Sequence, residues 1–389
     1  MAASKSLPGG RGSPHWQTAH RWQNFAASYI WCSGTFTKPP SVRSRFLPKG
    51  RAVPSQPHQY VDRRTGQIRT ERLYGDRVVR WLYSPIREKA PRLFQALVSR
   101  RASGLLSFFN FDAALGRRLA GAGRFLRELG VDLDECLDPP ALLNTPRKVF
   151  ERRIRYWEVR PMPDDPRVVV APADARALVG SFRESSQIAI KDKFFSFDEL
   201  LGNGTNRWTD LFRGGEFAVF RLTPDKYHYN HVPAAGRVAD FYQIDGVYHS
   251  CNPHAVIAVA TPYSKNKRVV TIIDTDVPGG SSVGLVAMVE VVALMVGEIV
   301  QCYSEHAYDD PRDVRPGMFL HRGAPKSLFR PGSSTTVLLF QPGRIEFAED
   351  LVANMFVPAT TRFSQGFGRP LVETDVQVRS AVARASKNR

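Results

Sequence analysis

From about residue 167 onward, short runs of β-branched and aromatic residues alternate with turn residues, and this pattern restricts the fold more than any other feature of the chain. Such runs between turns are typical of strands. The clearest runs cover residues 168–170, 217–222, 269–273 and 336–340, and turns are indicated at Asn203-Gly204, Asp245-Gly246 and Gly279-Gly280. A further run at 284–300 is apolar on nearly all sides, so it is either a buried helix or a pair of central strands.

Charge divides the chain into a basic front and a nearly neutral body. Residues 1–101 contain 19 Lys and Arg against 4 Asp and Glu, whereas the remaining 288 residues contain 35 against 33. Residues 1–55 are rich in Gly, Pro, Ser and Arg without a sustained period, which predicts a mostly disordered basic tail. We predict a helical, membrane-proximal region at 56–165 and a β-rich domain at 166–389. The expected fold class is therefore α+β, with a basic, amphipathic helical region ahead of the β-rich domain.

Between about residues 78 and 98, apolar residues recur at spacings of three and four among arginines. They are Val78, Val79, Leu82, Tyr83, Leu93, Leu97 and Val98. A basic amphipathic helix either lies on a membrane surface or packs on its own domain, and the pattern favours neither. No stretch of about 18 uncharged apolar residues occurs, and the N-terminus has no continuous apolar segment of the secretory type. These observations predict a soluble or peripheral protein.

A strongly basic front fits an anionic partner, either nucleic acid or acidic lipid. Nucleic-acid binding predicts base-reading elements within a fold, whereas here the charge lies mostly in the predicted tail. We therefore predict no nucleic-acid partner. The cysteines Cys32, Cys136, Cys251 and Cys302 lie far apart, without a C-x-x-C pair, so neither a disulfide framework nor a zinc site is expected. His249 near Cys251 lacks further ligands, and no metal is predicted.

Three local features carry chemically active side chains. The segment Ala171-Pro172-Ala173-Asp174-Ala175 places an acid in a turn after a strand. The segment 227–233, Y-H-Y-N-H-V-P, contains His228 and His231 three residues apart. Residues 332–335, G-S-S-T, place Ser333 and Ser334 before an apolar strand. Singly, each has an ordinary explanation: an acid that caps a turn, a hydrogen-bonded core histidine, a serine near a turn.

Together and in this order, the three features resemble the phosphatidylserine decarboxylase family over about residues 60–375. Similarity extends to the segments 60–66, 80–83, 195–201, 266–270 and 343–351. Three positions depart from the family pattern: Ala175 and Ser333 stand where glycine is usual, and Tyr229 where arginine is common. The resemblance implies a decarboxylase that cuts its own chain into a β chain, 1–333, and an α chain, 334–389.

The resemblance also implies the cofactor and its source. Ser334 is expected to become a covalent pyruvoyl group, which forms a Schiff base with the amine of phosphatidylserine and releases CO2 to give phosphatidylethanolamine. The nucleophile is either Ser334 or Ser333. Ser334 is preferred because residues 329–340 then align with the family without a gap, although the glycine at position 332 favours Ser333.

Roles for the remaining motif residues follow from the same resemblance. A serine needs a base, and a base needs an orienting partner, so His231 is expected to activate the nucleophile and Asp174 to orient His231. His228 is expected to protonate the carbanion left after CO2 departs. On an extended strand these two histidines point to opposite faces, so a turn or bulge must bring both to the site.

The substrate and the partners are expectations of the same kind. Phosphatidylserine on an anionic membrane surface is the expected substrate, and the expected location is peripheral, at the cytoplasmic face of a membrane. The α and β chains are partners of each other, and a homodimer is allowed. Another amino acid or aminophospholipid as substrate, a basic nucleic-acid-binding protein, and a family member that never cleaves itself remain alternatives. Basic residues that either meet a lipid phosphate or form a solvated face are Arg237, Lys265, Lys267 and Arg268.

Overall fold

The computed structural model describes residues 56–73, 76–99, 102, 130–182, 194–202, 206–259, 261–294, 298–332 and 334–387. Residues 55–389 form one compact unit. The predicted tail at 1–55 and the predicted turn at Asn203-Gly204 lie outside the described residues. Within those ranges, no helix has the length and apolar character needed to cross a membrane.

Strands dominate the compact unit. In chain order they are β1 (Gln59–Asp62), β2 (Ile68–Thr70), β3 (Val168–Val170), β4 (Ala175–Ser181), β5 (Glu216–Leu222), β6 (Tyr229–His231), β7 (Gly236–Ile244), β8 (Arg268–Asp274), β9 (Leu285–Val292), β10 (Ile299–Gln301), β11 (Phe319–Leu320), β12 (Pro325–Phe329), β13 (Ser334–Phe340), β14 (Ile345–Phe347), β15 (Glu373–Val376) and β16 (Ala381–Ala385).

A ten-stranded sheet holds most of these strands, in the order β11-β7-β8-β9-β13-β5-β4-β15-β1-β2. β1 and β15 are parallel, and the other described pairings in this sheet are antiparallel. β13 lies in the interior between β5 and β9, and every residue of β13 is buried. Burial on both faces explains why β9 and β13 read as nearly continuous apolar runs rather than alternating ones.

Two three-stranded sheets complete the β structure, in the orders β10-β12-β6 and β14-β16-β3. The first positions the candidate site, because β6 contains His231 and lies antiparallel to β12. β12 then leads through residues 330–333 directly into β13 of the large sheet. The histidine strand and the candidate cleavage point are therefore separated by one short connection.

The helices are short and lie around the sheets. They are α1 (Asp76–Trp81), α2 (Arg87–Lys89), α3 (Pro91–Leu97), α4 (Pro146–Phe150), α5 (Tyr156–Val159), α6 (Phe197–Leu201), α7 (Asn206–Phe212), α8 (Pro253–Ala258), α9 (Pro262–Lys265), α10 (Glu349–Asn354) and α11 (Arg362–Phe367), with a π turn at Leu82–Ile86 and a 3-10 turn at Pro140–Leu142.

The amphipathic segment 76–98 packs on its own domain through one face. Its buried side chains form a cluster with residues of the body: Leu82, Tyr83, Ile86, Phe94 and Val98 contact Ala255, Val259 and Leu294. Three large apolar side chains remain exposed on the other face: Val78 at 66%, Trp81 at 59% and Leu93 at 51%. Packing on the domain and an exposed apolar surface thus coexist in one segment.

The α+β prediction is confirmed at the level of a large mixed sheet with surrounding helices. The four predicted strand runs form β3, β5, β8 and β13. Of the two alternatives for 284–300, strands are correct, since β9 and β10 occupy it. The region 56–165 is not wholly helical, because β1 and β2 join the ten-stranded sheet; β1 pairs there with β15 from the opposite end of the chain.

Candidate active site

Ser334 is the first residue of β13 and is fully buried. Its Cα partners are Leu222 on β5 and Val292 on β9. Its Oγ has no hydrogen-bond partner in the part of the chain that the structure describes. Buried hydroxyls are rarely left unpaired, and such exceptions occur at reactive sites. The neighbouring Ser333 lies outside the described residues, so the alternative of a Ser333 nucleophile stays open.

The connection before Ser334 requires glycine at one position. Gly332 has a φ of 148°, in a region that residues with a side chain rarely adopt. Phe329, at the start of the connection, donates its N–H to the His228 carbonyl over 3.1 Å. The main chain of His228 is therefore hydrogen-bonded to the strand end from which the connection to Ser334 departs.

The alternation along β6 separates the two histidines. The Asn230 amide donates to Glu290 Oε1 on β9 over 3.1 Å, and the Asn230 oxygen accepts from the Thr336 hydroxyl on β13 over 2.8 Å. Residues two apart on a strand share a face. His228 immediately precedes β6, and its carbonyl accepts from Phe329 of β12, so the same alternation places His228 on the side of Asn230. By the same rule, Ser334 shares the face of Thr336. His228, rather than His231, is thus on the β6 face that is bonded to β9 and β13.

The His228 ring has one free nitrogen. Nδ1 lies 2.7 Å from the Lys226 carbonyl oxygen, and because a carbonyl only accepts, Nδ1 carries the proton. Nε2 is buried and has no partner among the described residues. The ring packs against Phe150 with 3.5 Å between centroids and 30° between the ring planes. Burial, reinforced by the charge of Arg152, lowers the pKa of His228 to about 3, so the neutral ring offers an unoccupied lone pair.

His231 lies on the opposite face, and both of its ring nitrogens are bonded. Nδ1 donates to the Gly323 carbonyl over 2.8 Å, and Nε2 accepts from the Tyr227 hydroxyl over 2.9 Å. The Tyr227 oxygen in turn lies 2.8 Å from the Tyr308 hydroxyl. Burial lowers the pKa of His231 to about 3. The ring is therefore neutral, with its basic nitrogen occupied by a tyrosine.

Asp174 is buried beside this group. The His231 N–H donates to the Pro172 carbonyl over 2.6 Å, which joins the aspartate turn to β6. The Asp174 carboxylate accepts two bonds from Arg160, of 3.1 and 2.9 Å, and a third from the Val378 N–H at 2.8 Å. Burial raises the pKa of Asp174, but the charge and hydrogen bonds of Arg160 outweigh it and hold the pKa below the ordinary value.

The structure thus brings Asp174, His228 and His231 into one neighbourhood but does not join them to Ser334 as a hydrogen-bonded triad. Among the described residues, Asp174 and His231 are bonded neither to each other nor to Ser334. The roles predicted for Asp174, His231 and Ser334 stay predictions. The sequence reasoning assigned no role to Tyr227, although it begins the histidine motif, and it did not identify Tyr308, Arg152 or Arg160, for which no local pattern existed.

A polar cleft of about 340 Å³ opens beside Asp174 and Tyr227. Its wall includes the cations Arg152, Arg160 and Lys226. Two of these are paired with carboxylates: Arg160 with Asp174 and with Glu135, and Lys226 with Asp375. The cleft therefore borders two of the three sequence motifs and has a charged lining.

Other candidates from the sequence have structural roles. Arg268 is buried and donates to main-chain oxygens, among them Leu200 O and Asn266 O, both at 2.8 Å, so it neither meets lipid nor forms a solvated face. Cys251 is buried and accepts from Thr335. One cluster of close ligand atoms occurs in the described ranges, His58, Glu71 and Glu373. Arg221 donates to both carboxylates of that cluster, which makes it an ion-pair network.

Comparison with known proteins agrees with the motifs. The family model for phosphatidylserine decarboxylase matches residues 147–365, which contain all three motifs. The phosphatidylserine decarboxylase proenzyme of Chlamydia trachomatis serovar L2 is 31% identical over 312 residues, covering 79% of this chain and 95% of that protein. The proenzyme of Fusobacterium nucleatum is 26% identical over 310 residues, again 79% of this chain and 95% of that protein.

A plant relative is similar over a shorter region. Phosphatidylserine decarboxylase proenzyme 2 of Oryza sativa subsp. japonica is 33% identical over 240 residues, covering 61% of this chain and 35% of that protein. The match of the family model to more than half of the chain, and the near-complete coverage of the chlamydial relative, are each sufficient to assign the family. This chain belongs to the phosphatidylserine decarboxylase family.

Proposed function

We propose that this chain is a self-cleaving decarboxylase that converts phosphatidylserine to phosphatidylethanolamine through a pyruvoyl group made from Ser334. The observation that carries the proposal is the unpaired, fully buried Oγ of Ser334 at the head of a central strand, directly after a connection that requires glycine at position 332. The names of the relatives support the same substrate and the same processing from a proenzyme.

The cleavage would use groups of the chain and one water molecule. Ser334 Oγ attacks the carbonyl carbon of residue 333; the C–O bond forms, the C–N bond breaks, and the nitrogen takes a proton. Loss of the Ser334 α-proton then breaks the Cβ–O bond, which leaves a carboxylate on residue 333 and a dehydroalanine at 334. Tautomerisation and addition of water release ammonia and leave a ketone at residue 334. His231 and Asp174 stay the proposed base and its orienting acid, a role that requires Tyr227 to release His231 Nε2 and the ring to reach Ser334.

The structure suits retention of the new chain end. β13 is paired along its whole length with β5 and β9, both on the 1–333 side of the cut. Arg221 on β5 also donates to Glu373 of the 334–389 side over 2.9 Å, and both side chains are buried. A cut before Ser334 therefore leaves the carboxy-terminal chain in the sheet, with its new terminus at the start of the central strand β13.

When present, a pyruvoyl group supplies an electron sink next to the substrate amine. The residues around Ser334 fit such a small group, since its Oγ has no competing partner. His228 would hold the proton needed at the substrate α-carbon after CO2 leaves, because its Nε2 is the unoccupied ring nitrogen on this side of β6.

A membrane-surface location is part of the proposal. Val292 is the β9 partner of Ser334, and Leu294, two residues later, packs with Tyr83 and Phe94 of the amphipathic segment. The outer face of that segment exposes Trp81 and Leu93. Further exposed basic or apolar side chains of the segment include Arg77, Val78, Arg87, Lys89 and Arg92. Basic and apolar side chains together suit shallow docking on an anionic cytoplasmic leaflet, which would deliver the lipid close to Ser334.

Intact mass spectrometry of the purified protein tests the processing. We expect two fragments, residues 1–333 and a fragment that begins with a pyruvoyl derived from Ser334. A fragment beginning one residue earlier would move the nucleophile to Ser333, and a single uncut chain in folded protein would contradict the proposal. Formation of phosphatidylethanolamine from phosphatidylserine vesicles, with free serine and other amino acids as competing substrates, then tests the substrate.

A further inference from the structure

Arg152 follows α4 and is buried, with only 6% of its side chain exposed. Its Nη1 donates to the Val149 carbonyl over 3.0 Å, and its Nη2 donates to the Asp225 carbonyl over 2.8 Å. Both acceptors belong to the main chain. Asp225 contributes its carbonyl and not its carboxylate, and Arg152 forms no ion pair with any carboxylate in the described ranges.

A buried guanidinium without a counter-ion is costly. Removing a cation from water is strongly unfavourable, and main-chain carbonyls compensate only part of that cost. Burial accordingly lowers the pKa of Arg152, but an arginine still stays protonated at neutral pH. Buried charges of this kind cluster at functional sites, where a ligand supplies the missing charge.

The position of Arg152 indicates where such a ligand would bind. Arg152 lines the cleft beside Asp174 and Tyr227. Arg160 and Lys226, on the same wall, are already neutralised by carboxylates, as described above. Of the six carboxylates on the wall, Glu135, Asp174 and Asp375 are engaged in those same ion pairs. Arg152 is therefore the buried cation of this wall that forms no ion pair in the described ranges, although the charges of Asp174, Asp225 and Glu135 act on it from a longer distance.

Arg152 also lies beside the histidine proposed to act in decarboxylation. Phe150, two residues earlier, packs against the His228 ring at 3.5 Å. After burial, the charge of Arg152 is the largest influence that lowers the pKa of His228. An anion bound to Arg152 would thus be close to the His228 ring, whose free Nε2 is on the β13 side of β6.

The headgroup of phosphatidylserine offers two anions, a carboxylate and a phosphate diester. The carboxylate loses its negative charge as CO2 departs. A guanidinium bound to it would therefore stabilise the ground state more than the transition state and slow the reaction. A guanidinium on the phosphate binds both states equally and only positions the reacting atoms. We propose that Arg152 binds the phosphate of the headgroup; this specificity role rests on the proposed function.

The test compares Arg152→Met with Arg167→Met, an exposed arginine paired with Asp165 outside the cleft. Both variants are expected to cleave themselves. With short-chain phosphatidylserine in mixed micelles, Arg152→Met should raise KM roughly tenfold or more while kcat stays within about threefold. Arg167→Met should match the wild type. Arg152→Lys keeps the charge but not the planar fork, and its KM should be intermediate.

A binding experiment separates the sources of the anion. Glycerophosphoethanolamine, which the enzyme does not consume, should raise the Tm of the wild type and of Arg167→Met but not of Arg152→Met, whereas ethanolamine alone should have no effect. If inorganic phosphate raised the Tm equally while the KM of Arg152→Met stayed normal, the site would bind a free anion and the proposal would be wrong.

The remaining outcomes also decide the proposal. A KM within about twofold of the wild type in a cleaved Arg152→Met enzyme would overturn it. If Arg152→Met fails to fold, Arg152→Lys replaces it, and an unchanged KM for that variant has the same meaning. If the wild-type enzyme makes no phosphatidylethanolamine, the proposed function itself is wrong. That result is distinct from a failure of the Arg152 proposal.

Discussion

The Thr336 hydroxyl donates to the Asn230 side-chain oxygen over 2.8 Å, and this bond joins β13 to β6 two residues from Ser334 and two residues from His228. Around it lies a buried network in which Lys326 Nζ contacts Glu290 Oε2 at 2.6 Å and Asn230 donates to Glu290. The network ties the histidine strand to the two strands at the candidate cleavage point. Its integrity should therefore affect both stability and self-cleavage.

Thr336→Val tests the joining bond with little change in shape. The loss leaves the Asn230 oxygen unpaired in a buried site, which should cost about 1–3 kcal/mol of unfolding free energy and slow self-cleavage. Urea unfolding and a time course of fragment formation measure the two effects. Thr335→Val is the matched control, since the Thr335 hydroxyl donates to the weak acceptor Cys251 Sγ and does not join β13 to β6. Equal effects of both changes would contradict a special role for the Thr336 bond.

Removal of Lys326 should destabilise the protein strongly. Lys326 and Glu290 are both fully buried, and breaking such a pair from one side leaves an uncompensated charge. Lys326→Met should lower the unfolding free energy by about 3–5 kcal/mol. The double change Lys326→Met with Glu290→Gln should recover part of the loss, because the orphaned charge is gone. A double variant no more stable than the single one would show that the charge is not the cause.

Substitutions at the motif residues should separate cleavage from decarboxylation. His231→Ala and Asp174→Asn should leave the chain uncut, because both residues are proposed to act before the pyruvoyl group exists. His228→Ala should still cut, yet decarboxylate roughly 100-fold or more slowly, the usual contribution of a positioned acid or base. Intact mass and CO2 release report the two steps. If all three variants cleaved alike, the division of labour would be wrong.

Stability should fall as the pH falls from about 6.5 toward 3. The pKa values of His228 and His231 are lowered to about 3 in the folded state, whereas an unfolded histidine titrates near 6.5. Below pH 6.5 the two histidines are protonated in the unfolded chain but stay neutral in the folded chain. Each ring therefore lowers the unfolding free energy by about 1.4 kcal/mol per pH unit. These two rings together should contribute up to about 4 kcal/mol to the difference between the unfolding free energies measured with urea at pH 7.5 and pH 5. His228→Gln should reduce this difference, and an unchanged difference would show that His228 does not titrate as described.

Vesicle binding should depend on both charge and apolar contact. Deleting residues 1–55 should weaken co-sedimentation with phosphatidylserine vesicles while self-cleavage persists, since the motifs lie beyond residue 170. Rising salt should weaken binding without abolishing it, because screening acts on charges over about 8 Å and not on buried apolar groups. Trp81→Glu on the exposed face should remove most of the remainder. Equal binding of the truncated and full chains at every salt concentration would mean that the tail serves another purpose.

The sequence alone determined the family and predicted the residues that carry its chemistry. Three local motifs contain the candidate residues Asp174, His228, His231 and Ser334 in the order that the family has, and such motifs are visible in the sequence without coordinates. The strands β3, β5, β8 and β13 were predictable for a similar reason, since β-branched runs between turn residues have few other structures open to them. Where a run was apolar on every side, as in 284–300, periodicity could not distinguish a strand from a helix.

Only the tertiary structure decided which groups meet. Strand β1 pairs with β15 across more than 300 residues of chain, and nothing in the sequence of either strand names its partner. Likewise, the sequence does not show that Arg160 bonds to Asp174, or that Tyr227 and Gly323 bond to His231. These bonds occupy Asp174 and His231, whereas His228 Nε2 has no partner among the described residues. Arg152 is an ordinary arginine in the sequence, and it becomes a candidate ligand site only because folding buries its charge without a carboxylate. A side chain's type is local information, whereas its partners depend on distant segments that the fold brings together.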